Sequence, residues 1–146
     1  MRPAADLEEA LARMTFRVDP GRYCLVGFEG APVPEDLAHL AFAPGQLVRE
    51  AEGTTLLVRS EELDALLARR PGARVERDLC WIRFDAPMGW EVVGFLAAVC
   101  ERLARAGIPL GCICGFDRDH LFVAEGHLAR AVQVLGELFA AQGEAG

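Results

Sequence analysis

At 146 residues, 52% hydrophobic and 25% charged, the chain has the size and composition of one ordinary globular domain or two small ones sharing a core, which excludes disordered and fibrous classes. Its net charge is −7 and its arginines are scattered among acids, with the densest basic spot at Arg69, Arg70 and Arg74; a nucleic-acid partner would need a concentrated basic face, so none is expected. No apolar run nears the ~18 residues of a membrane span, and the acid-bearing start "MRPAADLEEALARM" does not read as a signal peptide, so a cytoplasmic location without membrane association is the expectation.

In chain order, residues 4–13 predict a short helix with Leu7 and Leu11 at i, i+4. "DPGR" (19–22) is a turn, and "YCLVGF" (23–28) reads as a buried strand closed by Gly30 and two prolines. "PEDLAHL" (34–40) suits a short helix, with Pro34 at its start and acids in its first turn. Residues 46–59 predict a hairpin about Glu52-Gly53. Residues 60–70 predict a helix with Ser60 as N-cap and Leu63, Leu66 and Leu67 on its apolar face, ended by Pro71-Gly72.

In the second half, "LCWIRFDA" (79–86) alternates as a strand, Cys80, Ile82 and Phe84 on one face and Trp81, Arg83 and Asp85 on the other. Pro87-Met88-Gly89 breaks it, and a helix is predicted from Trp90 to Ala106, with apolar residues at 92, 95, 96, 99 and 103 and Gly107 as its stop. Strands follow at 108–116 and 120–124, then a helix at 125–140 with Leu128, Ala131, Val132, Leu135, Leu138 and Phe139 on one stripe. The rhythm of strand, helix, hairpin, helix thus appears twice and predicts an α+β fold, with helices packed on one face of mainly antiparallel sheets. Each half lacks an evident fourth strand of a βαββαβ unit. "ARVER" (73–77) and "TFRV" (15–18) are the candidates, one of them crossing to the other half.

The stretch "CICGFDRDHLFV" (112–123) packs two thiols, two carboxylates, an arginine and a histidine into twelve positions. A metal site is disfavoured: two sulfurs on one zinc lie at most about 4.6 Å apart, whereas Cys112 and Cys114 in a strand stand roughly 6.6–6.8 Å apart. A Cys114 nucleophile activated by His120 lacks an evident third group to orient the histidine. The simplest reading of all five cysteines is as reduced, small core residues. Taken alone the stretch reads as a charged turn, with Asp117, Arg118 and Asp119 solvated. The break before the preceding helix adds another reading: free backbone N–H groups at that helix start would bind a carboxylate, and Glu91 or Asp119 would take an ammonium group.

"GWEVVGFLAAVCERLARAGIPLGCICGFDRDHLFV" (89–123) resembles the C-terminal half of small bacterial proteins with two ACT-like units in one chain, whose pattern is an E-x-V-G-F/I-L-A-x-V helix, A-G-I, a strand and D-H-L-F-V. "DPGRY", "REAEGTTLLV" and the N-terminal helix extend the resemblance over roughly residues 6–140, and the architecture is also similar to that of animal cytosolic arginine sensors. The resemblance implies tandem ferredoxin-like (βαββαβ) ACT units, no catalytic residues, no cofactor, no metal, and a small-molecule site for an amino acid or related metabolite at an interface between ACT units. In the family the ligand lies between the loop after a unit's first strand and the end of the following strand. Here those positions are Met88, Gly89, Trp90, Glu91, Val93 and Gly94, then Cys114, Gly115 and Phe116, with Asp119 and His120 matching the aspartate and histidine of D-H-L-F-V. Cys114 stands where members often carry a small or hydroxyl residue, Phe116 where they carry tyrosine, and Asp117-Arg118 replaces a more neutral or histidine-bearing pair.

The expected organisation is an N-terminal helix with a candidate strand (1–20), a first ACT-like unit (21–78) and a second (79–146). The expected role is that of a non-enzymatic regulatory sensor of an amino acid, with a homodimer open. Two alternatives remain: an interaction module that dimerises without a metabolite, and a thiol-dependent enzyme using Cys114.

Overall fold

The computed structural model describes residues 1–143. In chain order its elements are α1 (Leu7–Arg13), β1 (Phe16–Val18), β2 (Tyr23–Glu29), α2 (Pro34–Leu37) running into a 3₁₀ turn (Ala38–Ala41), β3 (Gln46–Arg49), β4 (Gly53–Arg59), a 3₁₀ turn (Ser60–Glu62) into α3 (Leu63–Arg69), β5 (Arg74–Phe84), α4 (Phe95–Arg105), β6 (Gly111–Cys114), β7 (Asp119–Ala124) and, after a 3₁₀ turn (Glu125–His127), α5 (Leu128–Gly143). They form two compact units: a first of Gly21–Leu79, and a second that combines Met1–Pro20 with the chain from Cys80 onward.

The first unit runs β2-α2-β3-β4-α3-β5. Antiparallel pairing of β3 with β4, β4 with β2 and β2 with β5 gives the order β3-β4-β2-β5. Side chains alternate across a strand, so Cys24 and Val26 of β2 and Leu56 and Val58 of β4 reach one face. Leu63 and Leu66 of α3 cover it, and all six are buried. "ARVER" therefore lies in this unit's fourth strand. Opposite Cys24 the register slips where two residues, Arg77 and Asp78, face one; Asp78 takes φ 56° there, the left-handed conformation that a bulge uses and aspartate tolerates. Ser60 does not cap α3. The first turn is 3₁₀, and the Ser60 hydroxyl lies 3.6 Å from Cys24 Sγ instead.

The second unit takes β5 from Cys80 as its opening strand, followed by α4, β6, β7 and α5. Its fourth strand is "TFRV": β1 pairs antiparallel with β5, Phe16 opposite Phe84 and Val18 opposite Ile82. The order β1-β5-β7-β6 repeats that of the first unit, and both are the ferredoxin-like arrangement. The two strands expected at 73–77 and 79–86 are one, divided between the units at Leu79 and Cys80.

The core of the second unit joins Cys80, Ile82 and Phe84 to Leu121 and Val123 of β7, beneath Phe95, Val99 and Leu103 of α4 and Ala131, Leu135 and Leu138 of α5. Phe84 meets Phe95 edge-on, with ring centroids 5.2 Å apart. Each of the Val, Leu, Ile and Phe side chains in this core, fully buried, contributes roughly 1.5–3 kcal/mol. At the far end of α4, Gly107 N–H donates to Ala104 O and Ile108 N–H to Leu103 O, a Schellman closure.

Three further expectations are corrected. The helix predicted from Trp90 begins at Phe95, because Gly94 takes φ 97°, a left-handed conformation that cannot continue a helix backwards. The strand predicted at 108–116 shrinks to Gly111–Cys114. Only Cys24 and Cys80 are buried core thiols; Cys112 and Cys114 are exposed, since β6 is the last strand of its unit's order. Among the described residues no helix is long and apolar enough to cross a membrane.

Candidate functional site: a cleft at the start of α4

The segment between β5 and α4 is held from both sides. Met88 N–H donates to Asp117 O at 2.7 Å, Gly89 N–H to Ala4 O at 2.8 Å, and Val92 N–H to Gly89 O at 3.1 Å. Across from it, Cys114 and Asp119 are paired residues at the mouth of the β6–β7 hairpin. Gly115 N–H closes the turn onto Arg118 O at 2.8 Å. A side chain at Gly115 would sit 3.0 Å from that carbonyl and 3.3 Å from His120 Nε2, a tight fit that favours a residue without one. Arg118 Nε reaches Asp85 O at 3.4 Å. The turn is thus tied by Asp117 and Arg118 to the chain leaving β5, and Asp117, Arg118 and Asp119 are half-buried rather than freely solvated.

Between these two walls lies a cleft of about 300 Å³, the lower end of the range for small-molecule sites and suited to a ligand of amino-acid size. Met88, Gly89, Trp90, Gly94, Cys114, Gly115, Phe116 and Asp119, all singled out in the sequence, line it. So do Val92, Phe95, Leu96, Ala97, Asp117 and Arg118, which were not. Glu91, Val93 and His120 do not. Glu91 folds its carboxylate over Gly89, and Val93 points outward, 81% exposed. His120 stands behind Gly115, its Nδ1 accepting from Trp81 Nε1 at 3.2 Å. An indole N–H only donates, so the neutral imidazole carries its proton on Nε2. Burial, with Arg83 next, pushes the His120 pKa down and favours this neutral form.

Two features set the electrostatics. The first three N–H groups of an α-helix have no partner within it; in α4 these belong to Phe95, Leu96 and Ala97, which line the cleft, and Gly94 offers no side chain to cap them. On the opposite wall stands the Asp119 carboxylate. The Cys114 thiol hydrogen-bonds to it, and this bond, together with burial, pushes the thiol's pKa up. Cys112 keeps exposed surface, but burial of its sulfur, then the Cys100 thiol and Asp119, push it up to about 12. Both thiols are held protonated, the opposite of what a nucleophile needs. Among the described residues no three His, Cys, Asp or Glu are placed to hold a metal ion.

The first unit has a larger hollow, about 690 Å³, whose lining includes Glu29, Glu50 and Glu52 as well as Arg69, Arg70 and Arg74. Size alone does not favour it. Most of those charges lie on solvated surface, and the start of α2 is not among its walls. The helix start of this unit is already occupied by Asp36, whose carboxylate accepts from Val33 N–H at 2.8 Å, Arg69 Nη1 at 2.6 Å and Arg70 Nη2 at 2.7 Å with no exposed surface of its own. Burial by itself would raise the Asp36 pKa; the Val33 N–H and the two guanidinium groups outweigh it and hold the carboxyl at about 2.

Known proteins bear out this architecture. Two family models, each described as an ACT domain, match residues 3–68 and 74–137. The first match includes α1 and β1, which in space complete the second unit. A Vibrio cholerae protein of unknown function, described as a possible transport protein, is 30% identical, with 88% of this chain and 92% of that one aligned at a TM-score of 0.68. An Agrobacterium tumefaciens protein is 19% identical over 87% of this chain and 90% of its own, TM-score 0.71. The regulatory subunit of aspartate kinase from Thermus thermophilus shares the fold at 12% identity, covering 85% of this chain and 96% of that one, TM-score 0.64. Among curated proteins none matches. The chain belongs to the ACT-domain family and carries two ACT domains in tandem.

Proposed function

We propose that the protein is a non-enzymatic regulatory sensor, acting in the cytoplasm, that binds a free amino acid in the cleft at the start of α4. The observation that carries this reading is the pairing of an uncapped helix start with the Asp119 carboxylate across a cleft of about 300 Å³. The helix N–H groups suit the ligand's α-carboxylate, and Asp119 suits its ammonium group. The ACT family, whose regulatory domains the fold resembles, is consistent with it. The raised pKa of Cys114 weighs against the thiol-enzyme alternative.

A charge-assisted hydrogen bond contributes roughly 1.5–3 kcal/mol. Asp119→Asn is therefore expected to weaken the amino acid that gives the largest thermal shift by about tenfold or more, while barely moving the melt without ligand. Equal affinities in both proteins would remove Asp119 from the site.

A second reading rests on the rim, where Trp90 is 88% and Phe116 94% exposed. Large apolar groups so placed suit a protein partner, a second copy included. Sedimentation of the full chain with and without the amino acid separates the two readings: a dimer indifferent to the ligand favours the interaction module.

A further inference from the structure

Resting on the amino-acid reading of this cleft, we propose that it selects amino acids with an uncharged aliphatic or thioether side chain, of about leucine or methionine size, over those with a charged one. The inference comes from how the two walls divide their chemistry. Every charged group lining the cleft, Asp117, Arg118 and Asp119, sits on the β6–β7 hairpin. The facing wall, from Met88 through Trp90 and Val92 to Phe95 and Leu96, carries no charged side chain, the Trp90 indole N–H being its one polar side-chain group. Its one acid, Glu91, folds back over Gly89 and leaves the lining. With the ligand's ammonium group at Asp119 and its carboxylate at the start of α4, its side chain has the apolar wall left to lie on. A methyl or thioether group there loses water against matching surface and gains. An ammonium, guanidinium or second carboxylate there loses hydration without finding a partner.

Norleucine and lysine make the sharpest comparison, because they share a four-carbon side chain and differ by the terminal ammonium. The full chain is titrated with leucine, methionine, norleucine, lysine, arginine, aspartate and glutamate, following thermal shift and the intrinsic fluorescence of Trp81 and Trp90. Norleucine, leucine and methionine are expected to bind at least about tenfold more tightly than any charged member, the discrimination expected when a partly exposed charge is desolvated. Lysine or aspartate binding as tightly as norleucine would overturn the selectivity and leave the amino-acid reading standing. No response to any amino acid would overturn both.

Leu96→Glu adds a second arm. Position 96 is half-buried in the first turn of α4, where an acid is tolerated by the helix. The variant should lose at least about tenfold in norleucine affinity and bring lysine to parity or better. A variant that keeps the wild-type preference would show that this wall does not meet the ligand's side chain.

Discussion

In the first unit the helix after the opening strand begins Val33-Pro34-Glu35-Asp36, and in the second the same step reads Gly94-Phe95-Leu96-Ala97. The strand order is identical, but the first unit places at the third helical position a carboxylate that reaches back to the Val33 N–H and gathers two arginines. The second places a methyl group there and a left-handed glycine before it. A helix start is an anion site in either case. One copy of the fold fills its own; the other leaves the same chemistry open beside a cleft. A tandem repeat can thus fill a helix start in one copy and leave it open in the other through four residues.

The comparison breaks first at Asp36. Removing a buried carboxylate leaves Arg69 and Arg70 without their anionic partner, and Asp36→Ala is expected to cost about 3 kcal/mol, the lower end for a buried pair because both arginines keep some exposed surface. Urea unfolding measures it. The pH dependence has a definite sign. A carboxyl held at about 2 when folded, against 3.8 unfolded, contributes stability that is complete above the unfolded value and is lost as the pH falls through about 2. The gap between wild type and variant should therefore close between about pH 5 and pH 2. A gap that stays constant across that window would mean Asp36 acts through packing rather than charge.

The elements were legible where apolar periodicity is strong. The stripe of α4 at Phe95, Val99 and Leu103 and the alternation of Cys80, Ile82 and Phe84 are core positions in the fold. The partner of a short strand is not written in its residues: "TFRV" and "ARVER" read as strands, but which unit each completes is decided by packing far along the chain. Trp90 to Val93 carry residues a helix accepts, and nothing local forbids it. The five-residue shift of the helix start came from the conformation of Gly94, and it moved Leu96 and Ala97 into the cleft unannounced. Asp36 was visible only as an acid in a first turn. Its arginines lie 33 and 34 residues away, beyond any local pattern.

Gly94→Ala is the next test, on the second unit's side of the comparison. At φ 97° an alanine is strained, and its Cβ would meet Leu7 Cδ2 at 3.3 Å. The expected cost is roughly 1–2 kcal/mol, seen as a lower melting temperature. Relief of the strain would turn the first N–H groups of α4 away from the cleft, so affinity for norleucine should fall as well. A destabilised protein with unchanged affinity would place the ligand's carboxylate elsewhere.

The smallest expected effect on stability sharpens the comparison most. Ala97 occupies in α4 the position Asp36 occupies in α2, and it is exposed. Ala97→Asp supplies the second helix with the carboxylate of the first. Such a group at a helix N-terminus contributes about 0.3–1 kcal/mol, so a slightly higher melting temperature is expected. The same carboxylate would compete with a ligand's for the free N–H groups, and norleucine affinity should drop by about tenfold or more. Ala97→Asn separates charge from shape: it keeps most of the volume and a hydrogen-bond acceptor but not the attraction to the helix dipole, and should show a fraction of both effects. A protein stabilised by Ala97→Asp that still bound norleucine at wild-type strength would show that the helix start was open but unused. Gain of stability with loss of binding in one substitution would show that the two units differ by whether this position is filled from within or from solution.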